Sequence, residues 1–212
     1  MKTLTLPASV LATTLLLAAC GHQPTTAIAE STATKIAASP ADDFMDRIRS
    51  HCGQAFAGRI IADTPPPTGS DAFSGKALVM HVRGCEANEL RVPFHVGEDR
   101  SRTWILTRTA SGLRLKHDHR HQDGTPDDST MYGGDTRSSG SALRQEFPVD
   151  ADSIAQFEAS GRTASTTNTW AMEIEPGQRF LYELSRPGGR LFQVEFDLGK
   201  PINPPPAPWG HE

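Results

Sequence analysis

The sequence predicts a mainly β fold: an antiparallel up-and-down barrel of lipocalin-like type, or an unequal β-sandwich, with a short N-terminal helix and one short late helix. Three observations predict it. Ten short segments suited to strands, most with alternating apolar and polar residues, recur between Gly58 and Leu198. Turn-forming clusters separate many of them, among them Thr64-Pro65-Pro66-Pro67-Thr68-Gly69, Ala110-Ser111-Gly112 and Pro187-Gly188-Gly189. Only two stretches carry apolar residues at helical spacing. Many short strands with few helices indicate a sandwich or a barrel, and links of meander length favour the barrel.

Taken in order, Asp42 to Cys52 reads as a helix, with Phe44, Met45, Ile48 and Cys52 on one face and Gly53 to end it. Gly58 to Asp63 is a short strand, and Ala77 to Arg83 the next, with Leu78, Met80 and Val82 sharing a face. Leu90 to Val96 alternates strictly, Leu90, Val92, Phe94 and Val96 against Arg91, Pro93 and His95. Pro93 has no N–H to give a ladder, which predicts an edge strand or a bulge. Arg102 to Thr109 and Leu113 to His121 form a hairpin about Gly112. Met131 to Thr136, interrupted by Gly133-Gly134, is a weaker strand, and Ala142 to Val149 a firmer one. Asp150 or Asp152 caps a helix reaching Ala159, with Ile154 and Phe157 inward. Thr167 to Glu175 carries Trp170; Arg179 to Ser185 and Arg190 to Leu198 make the last hairpin.

The first twenty residues are built differently. Met1-Lys2 is a short positive region, Leu4 to Leu17 an apolar one, and Leu17-Ala18-Ala19-Cys20 follows. A membrane-spanning helix needs about 20 apolar residues, and this stretch is shorter. The ending resembles the lipobox of bacterial lipoproteins. That resemblance implies a signal peptide over residues 1–19 and acylation of Cys20 as the new N-terminus, with membrane lipid as partner. Gly21 follows the cysteine, where inner-membrane lipoproteins of proteobacteria often carry Asp, so the resemblance implies the outer membrane, facing the periplasm. Residues 20–40 are rich in Ala, Thr, Ser and Pro and read as a flexible tether, since they bury too little to offset ordering entropy. Residues 41–200 are expected to form a single β-rich domain. Residues 201–212, with five prolines, are expected to form an extended tail in which Trp209 either packs back or meets a partner.

The chain has 212 residues and a formal net charge of −4. No basic tract or nucleic-acid motif occurs, so nucleic acid is not an expected partner. Three cysteines are present. With Cys20 acylated, Cys52 and Cys85 form an even pair, most simply a disulfide in an oxidising compartment. Such a bond contributes about 3–4 kcal/mol in the chain-entropy description. Thiolate metal ligation is the competing reading, without a C-x-x-C spacing to support it.

Three of the eight histidines cluster at His117, His119 and His121. On a strand they share a face with Leu113 and Leu115, opposite Arg114, Lys116 and Asp118. In a barrel that face points inward, toward a pocket or its mouth. Imidazole is the commonest metal ligand, so these three are candidate ligands of a divalent metal. Same-face neighbours lie about 6.6–6.8 Å apart, so one strand delivers two ligands readily; a third would come from His81, His95, Asp123 or Asp128. The plainer reading is a polar strand end and loop, and acid–base catalysis is a third. Asp123, Asp127 and Asp128 lack a calcium-loop pattern. His81, His95 and Trp104 are candidate ligand-binding residues, while Arg100, Arg102 and Arg108 read as an anion site or, more simply, a solvated face. No G-x-S-x-G, H-E-x-x-H, P-loop or dinucleotide fingerprint occurs.

From Cys52-Gly53 to Leu198, through His117 to His121 and Met131-Tyr132-Gly133-Gly134-Asp135, the chain also resembles uncharacterised secreted bacterial proteins. That resemblance implies secretion and no particular activity. Three functions follow as expectations: a small-ligand or partner-binding envelope domain, an envelope structural or assembly factor acting through protein contacts, and a metal-dependent hydrolase. The first requires a cavity holding His117 and His119. The second requires an exposed apolar patch near Pro93 or Trp209. The third requires three convergent ligands.

Overall fold

The computed structural model describes residues 39–69 and 71–211. The lipobox, Cys20 and most of the expected tether lie outside the described residues. Among those described, no helix is long and apolar enough to cross a membrane.

The chain forms a nearly closed antiparallel barrel. Its strands are β1 (Ala55–Thr64), β2 (Leu78–His81), β3 (Gly84–Cys85), β4 (Glu89–Val96), β5 (Asp99–Arg108), β6 (Leu113–His119), β7 (Tyr132–Asp135), β8 (Arg144–Pro148), β9 (Thr169–Glu175), β10 (Arg179–Arg186) and β11 (Arg190–Ile202). Around the barrel the order is β7-β6-β5-β4-β2-β1-β11-β10-β9-β8, with β3 continuing the line of β2 beside β4. Apart from β2 and β4, which the short β3 separates in sequence, every neighbour is next in sequence except β11, which pairs β1. This is the up-and-down barrel, not the sandwich.

The seam lies between β7 and β8, and it is bridged by other means. Asp150 N–H donates to the Gly133 carbonyl over 2.9 Å, and Gly133 N–H donates to Ser153 Oγ over 2.8 Å. Both partners belong to the start of α2 (Ala151–Ala159), whose N-cap is Asp150. The strand must come very near: a Cβ on Gly134 would stand 1.8 Å from the Pro148 carbonyl oxygen. The paired glycines that weaken the strand pattern are thus what lets the seam meet. Lys116 reaches across from β6 to Asp150 at 2.6 Å.

α1 (Pro40–Arg49) begins two residues before the sequence suggests, because Ser39 and Asp42 form a capping box with Pro40 in the first turn. Its buried Ala41, Phe44, Met45 and Ile48 join the barrel core, and Arg108 at the end of β5 holds Asp42 at 2.5 Å. The helix lies at the barrel end where Leu90, Leu106 and Leu113 fill the interior. Cys52, just past the helix, is bonded to Cys85 of β3, with Cα atoms 6.3 Å apart.

Two prolines depart at least in part from expectation. Pro93 lies on an interior strand, not an edge, since β4 pairs β5 on one side and β2 and β3 on the other, but the pairing beside it is irregular, as the bulge alternative expected. The neighbour is interrupted between His81 and Gly84, opposite this stretch, so the missing N–H costs little. Pro201 belongs to β11, paired with Phe56 of β1. β10 has already ended opposite Asp197, leaving one side of β11 open to a residue without a donor. The domain therefore runs past residue 200. The tail beyond it crosses the outer face: Trp209 N–H donates to the Arg100 carbonyl, Arg100 to the Ala207 carbonyl, and Arg83 to the His211 carbonyl. Pro208 is buried and Trp209 half-buried.

Candidate functional site

The two halves of the barrel interior are filled differently. Toward α1 it is filled by buried side chains, Phe44, Ile48, Phe56, Leu90, Leu106 and Leu113 among them. Toward the β10–β11 hairpin it opens into a cavity of about 240 Å³. Strand alternation places the lining. β5 sends Arg102 and Trp104 inward, β6 His117 and His119, β10 Tyr182, Leu184 and Arg186, and β11 Arg190 and Phe192. In each series the apolar positions lie deeper and the polar ones nearer the opening.

The floor is aromatic. Trp104 is stacked between Phe94 (ring centroids 4.9 Å apart) and Tyr182 (4.5 Å). Tyr132 and Trp170 close a second wall, with the His117 ring 4.7 Å from Tyr132 and 5.0 Å from Trp170. Phe73, from the loop between β1 and β2, tilts over Phe192 at 5.0 Å.

His117 is fixed by two hydrogen bonds. Its Nδ1 lies 3.1 Å from the Tyr132 carbonyl oxygen and its Nε2 2.8 Å from Tyr182 Oη. A carbonyl only accepts, so a neutral ring carries its proton on Nδ1 and accepts the Tyr182 hydroxyl proton at Nε2. Burial, and after it the nearby His119, push the His117 pKa down to about 3, so the neutral form is the resident one. His119 Nε2 lies 3.1 Å from Tyr132 Oη; burial, with Arg102 next, lowers its pKa to about 4. Burial raises Tyr132 to about 12 and Tyr182 well above the usual phenol. The polar groups of the floor are therefore uncharged near neutrality.

The rim is cationic. Arg102, Arg162, Arg186 and Arg190 line the opening, and no carboxylate lines the cavity among the described residues. Arg102 pairs with Asp99 at 2.6 Å, and Arg190 pairs with Asp63. Arg162 has only Ser160 Oγ, at 3.0 Å, and lies 5.1 Å over the Phe157 ring. Arg186 is held by Asn168 Oδ1 and Ser165 Oγ. Neither of these last two makes an ion pair among the described residues. Burial and the neighbouring Arg190 lower the Arg186 pKa below its ordinary value.

Not every expected site residue comes to this cavity. Trp104, His117 and His119 line it. His121 does not: it lies beyond the end of β6, exposed, 3.9 Å from Asp127. His81 and His95 point outward, opposite Met80 and Phe94, and are buried beside Arg83 and Arg100, which hold the tail. Asp123 closes its own turn through Thr125. Among the described residues no group of three or more His, Cys, Asp or Glu is arranged to hold a metal ion, and both His117 nitrogens already have partners. Phe73, Tyr182, Arg162, Arg186 and Arg190 are lining residues that the sequence reading did not single out as a site.

Compared with known proteins, the chain matches no family model, no curated protein and no solved structure.

Proposed function

We propose that this chain is a small-molecule-binding β-barrel, exported and anchored by lipid on Cys20 to the bacterial outer membrane, facing the periplasm. One observation carries the binding reading: a barrel packed solid at one end is hollow at the other, and the hollow is walled by aromatic rings. Apolar concave sites with a few fixed polar groups are where small ligands bind, and small barrels hold one ligand inside. Packing normally leaves few voids larger than water, so an aromatic cavity at the end of a strand series is not explained by stability. The location rests on the lipobox resemblance, and the Cys52–Cys85 bond is consistent with an oxidising compartment.

The other two expectations have less to stand on. A hydrolase would need a third metal ligand that the described residues do not bring to His117 and His119. An assembly factor was expected to expose apolar surface near Pro93 or Trp209, and the former is buried and the latter half-buried.

The neutral fluorescent probe N-phenyl-1-naphthylamine tests the reading. Its emission should rise and shift to the blue with the wild-type protein. Leu184→Trp, which places a larger ring in the cavity, should abolish that rise. No response from the wild type, or an equal response from the plugged variant, defeats the proposal.

A further inference from the structure

The rim of the cavity selects among ligands by charge. We propose that the ligand is an aromatic or apolar anion, a carboxylate, sulfonate or phosphate ester whose ring enters the cavity while its charged head meets the rim arginines. This inference rests on the small-molecule reading of the same cavity.

The argument begins at the β10–β11 hairpin. Arg186 and Arg190 are direct cross-strand partners at its last paired position. Like charges directly opposite one another destabilise a sheet, and a hairpin gains nothing from the pairing. Asp63 balances Arg190. Among the described residues Arg186 has only neutral partners, Asn168 and Ser165, which orient the guanidinium without neutralising it. Arg162, just before the turn that carries Ser165, is in the same condition over Phe157 among the described residues. Among the described residues, four guanidinium groups with two carboxylate partners leave two positive charges at the mouth. Arginine is suited to this task because its planar fork meets two oxygens of a carboxylate or phosphate at once. The aromatic floor below carries no charge to repel or attract a ligand body.

Isothermal titration calorimetry with ligands of one skeleton tests it: 2-naphthoate, its neutral counterpart 2-naphthamide, and the cation 2-naphthylmethylamine. The wild-type protein should bind naphthoate roughly tenfold or more tighter than naphthamide, the scale of one charge-assisted hydrogen bond, and the amine weakest. Added sodium chloride should shrink the preference without any substitution being made. In Arg186→Gln the preference should fall to less than about threefold; Arg162→Gln gives the same reading from a second rim arginine should the first variant not fold. Equal binding of naphthoate and naphthamide, or tighter binding of the amine, overturns the charge inference while leaving the cavity reading standing. Binding of none of the three overturns both.

Discussion

At the scale of single residues, the hydrogen bonds of His117 are the most consequential in the cavity. Its ring is buried, and each nitrogen has one partner. Removing the Tyr182 hydroxyl therefore leaves a buried acceptor without a donor. Tyr182→Phe should lower stability by about 1–3 kcal/mol, the cost of an unsatisfied buried polar group. Adding His117→Phe should cost less than the sum of the two single changes, because the second removes the group that the first stranded. Urea denaturation of the four proteins in a double-mutant cycle measures it. Strict additivity would show that the Tyr182–His117 bond is not formed in solution. Much of this site was legible by alternation alone. The inward series Leu113, Leu115, His117 and His119 is visible on β6, and its last two members line the cavity. The same rule extended along β10 and β11 reaches Arg186 and Arg190, in phase with Phe180, Tyr182 and Leu184 and with Phe192, Val194 and Phe196. A charge in phase with an apolar face, at the same end as the histidines, was the available signal. Arg162 gave none, since it sits between α2 and the following 3-10 turn at Thr163–Thr167 and no period reaches it.

At the scale of elements, the least regular segments do the closing. β7 is only four residues long and contains two glycines, which argued against a strand. Its N–H and C=O groups meet the first turn of α2 rather than a full ladder with β8, so no strand pattern could have announced the contact. Gly134→Ala should be among the most damaging small substitutions in the chain. The added methyl would overlap the Pro148 carbonyl, and neither backbone can retreat without opening the seam. A loss of more than about 3 kcal/mol is expected, the range of strain at a position that cannot relax. Thermal unfolding reads this directly; a change of less than about 0.5 kcal/mol, as at an ordinary surface position, would mean that the seam is open. The tail shows the opposite limit of sequence reading. Past Ile202 it forms neither helix nor strand. Its attachment depends on Arg83, Arg100 and Asp118, which lie about a hundred residues earlier, and His211 Nε2 sits 2.7 Å from Asp118 Oδ2. Local pattern carries no information about such a pairing.

For the whole molecule, the buried histidines set how stability responds to acid. Burial is the first cause in each case: it lowers His95 and His119 to about 4, His117 to about 3, and moves His81 the same way. Unfolding returns these rings to an ordinary pKa near 6.5. Between pH 4 and 6.5 the unfolded chain therefore holds more protons than the folded one. Stability must rise with pH across that window, by at most about 1.4 kcal/mol per pH unit for each histidine, and these groups contribute no further slope above it. The lowered carboxylates act elsewhere. Asp42, brought to about 2 chiefly by its bond to Ser39, and Asp118, lowered despite its burial by Arg120 and His211, lose their contribution only as pH falls below the ordinary carboxylate range. Two acid limbs are thus expected, a histidine limb beginning near pH 6.5 and a carboxylate limb below about 4. Urea midpoints measured from pH 8 to 4 should be level at first and then fall. His117→Gln should reduce the slope of the fall by up to one proton. A flat profile down to pH 4.5 would mean that the rings are protonated or solvated in the native barrel. Because the same rings stay neutral at pH 7, the charge of the cavity at that pH comes from its arginines alone, and its preference for an anion should persist unchanged from pH 7 to 9.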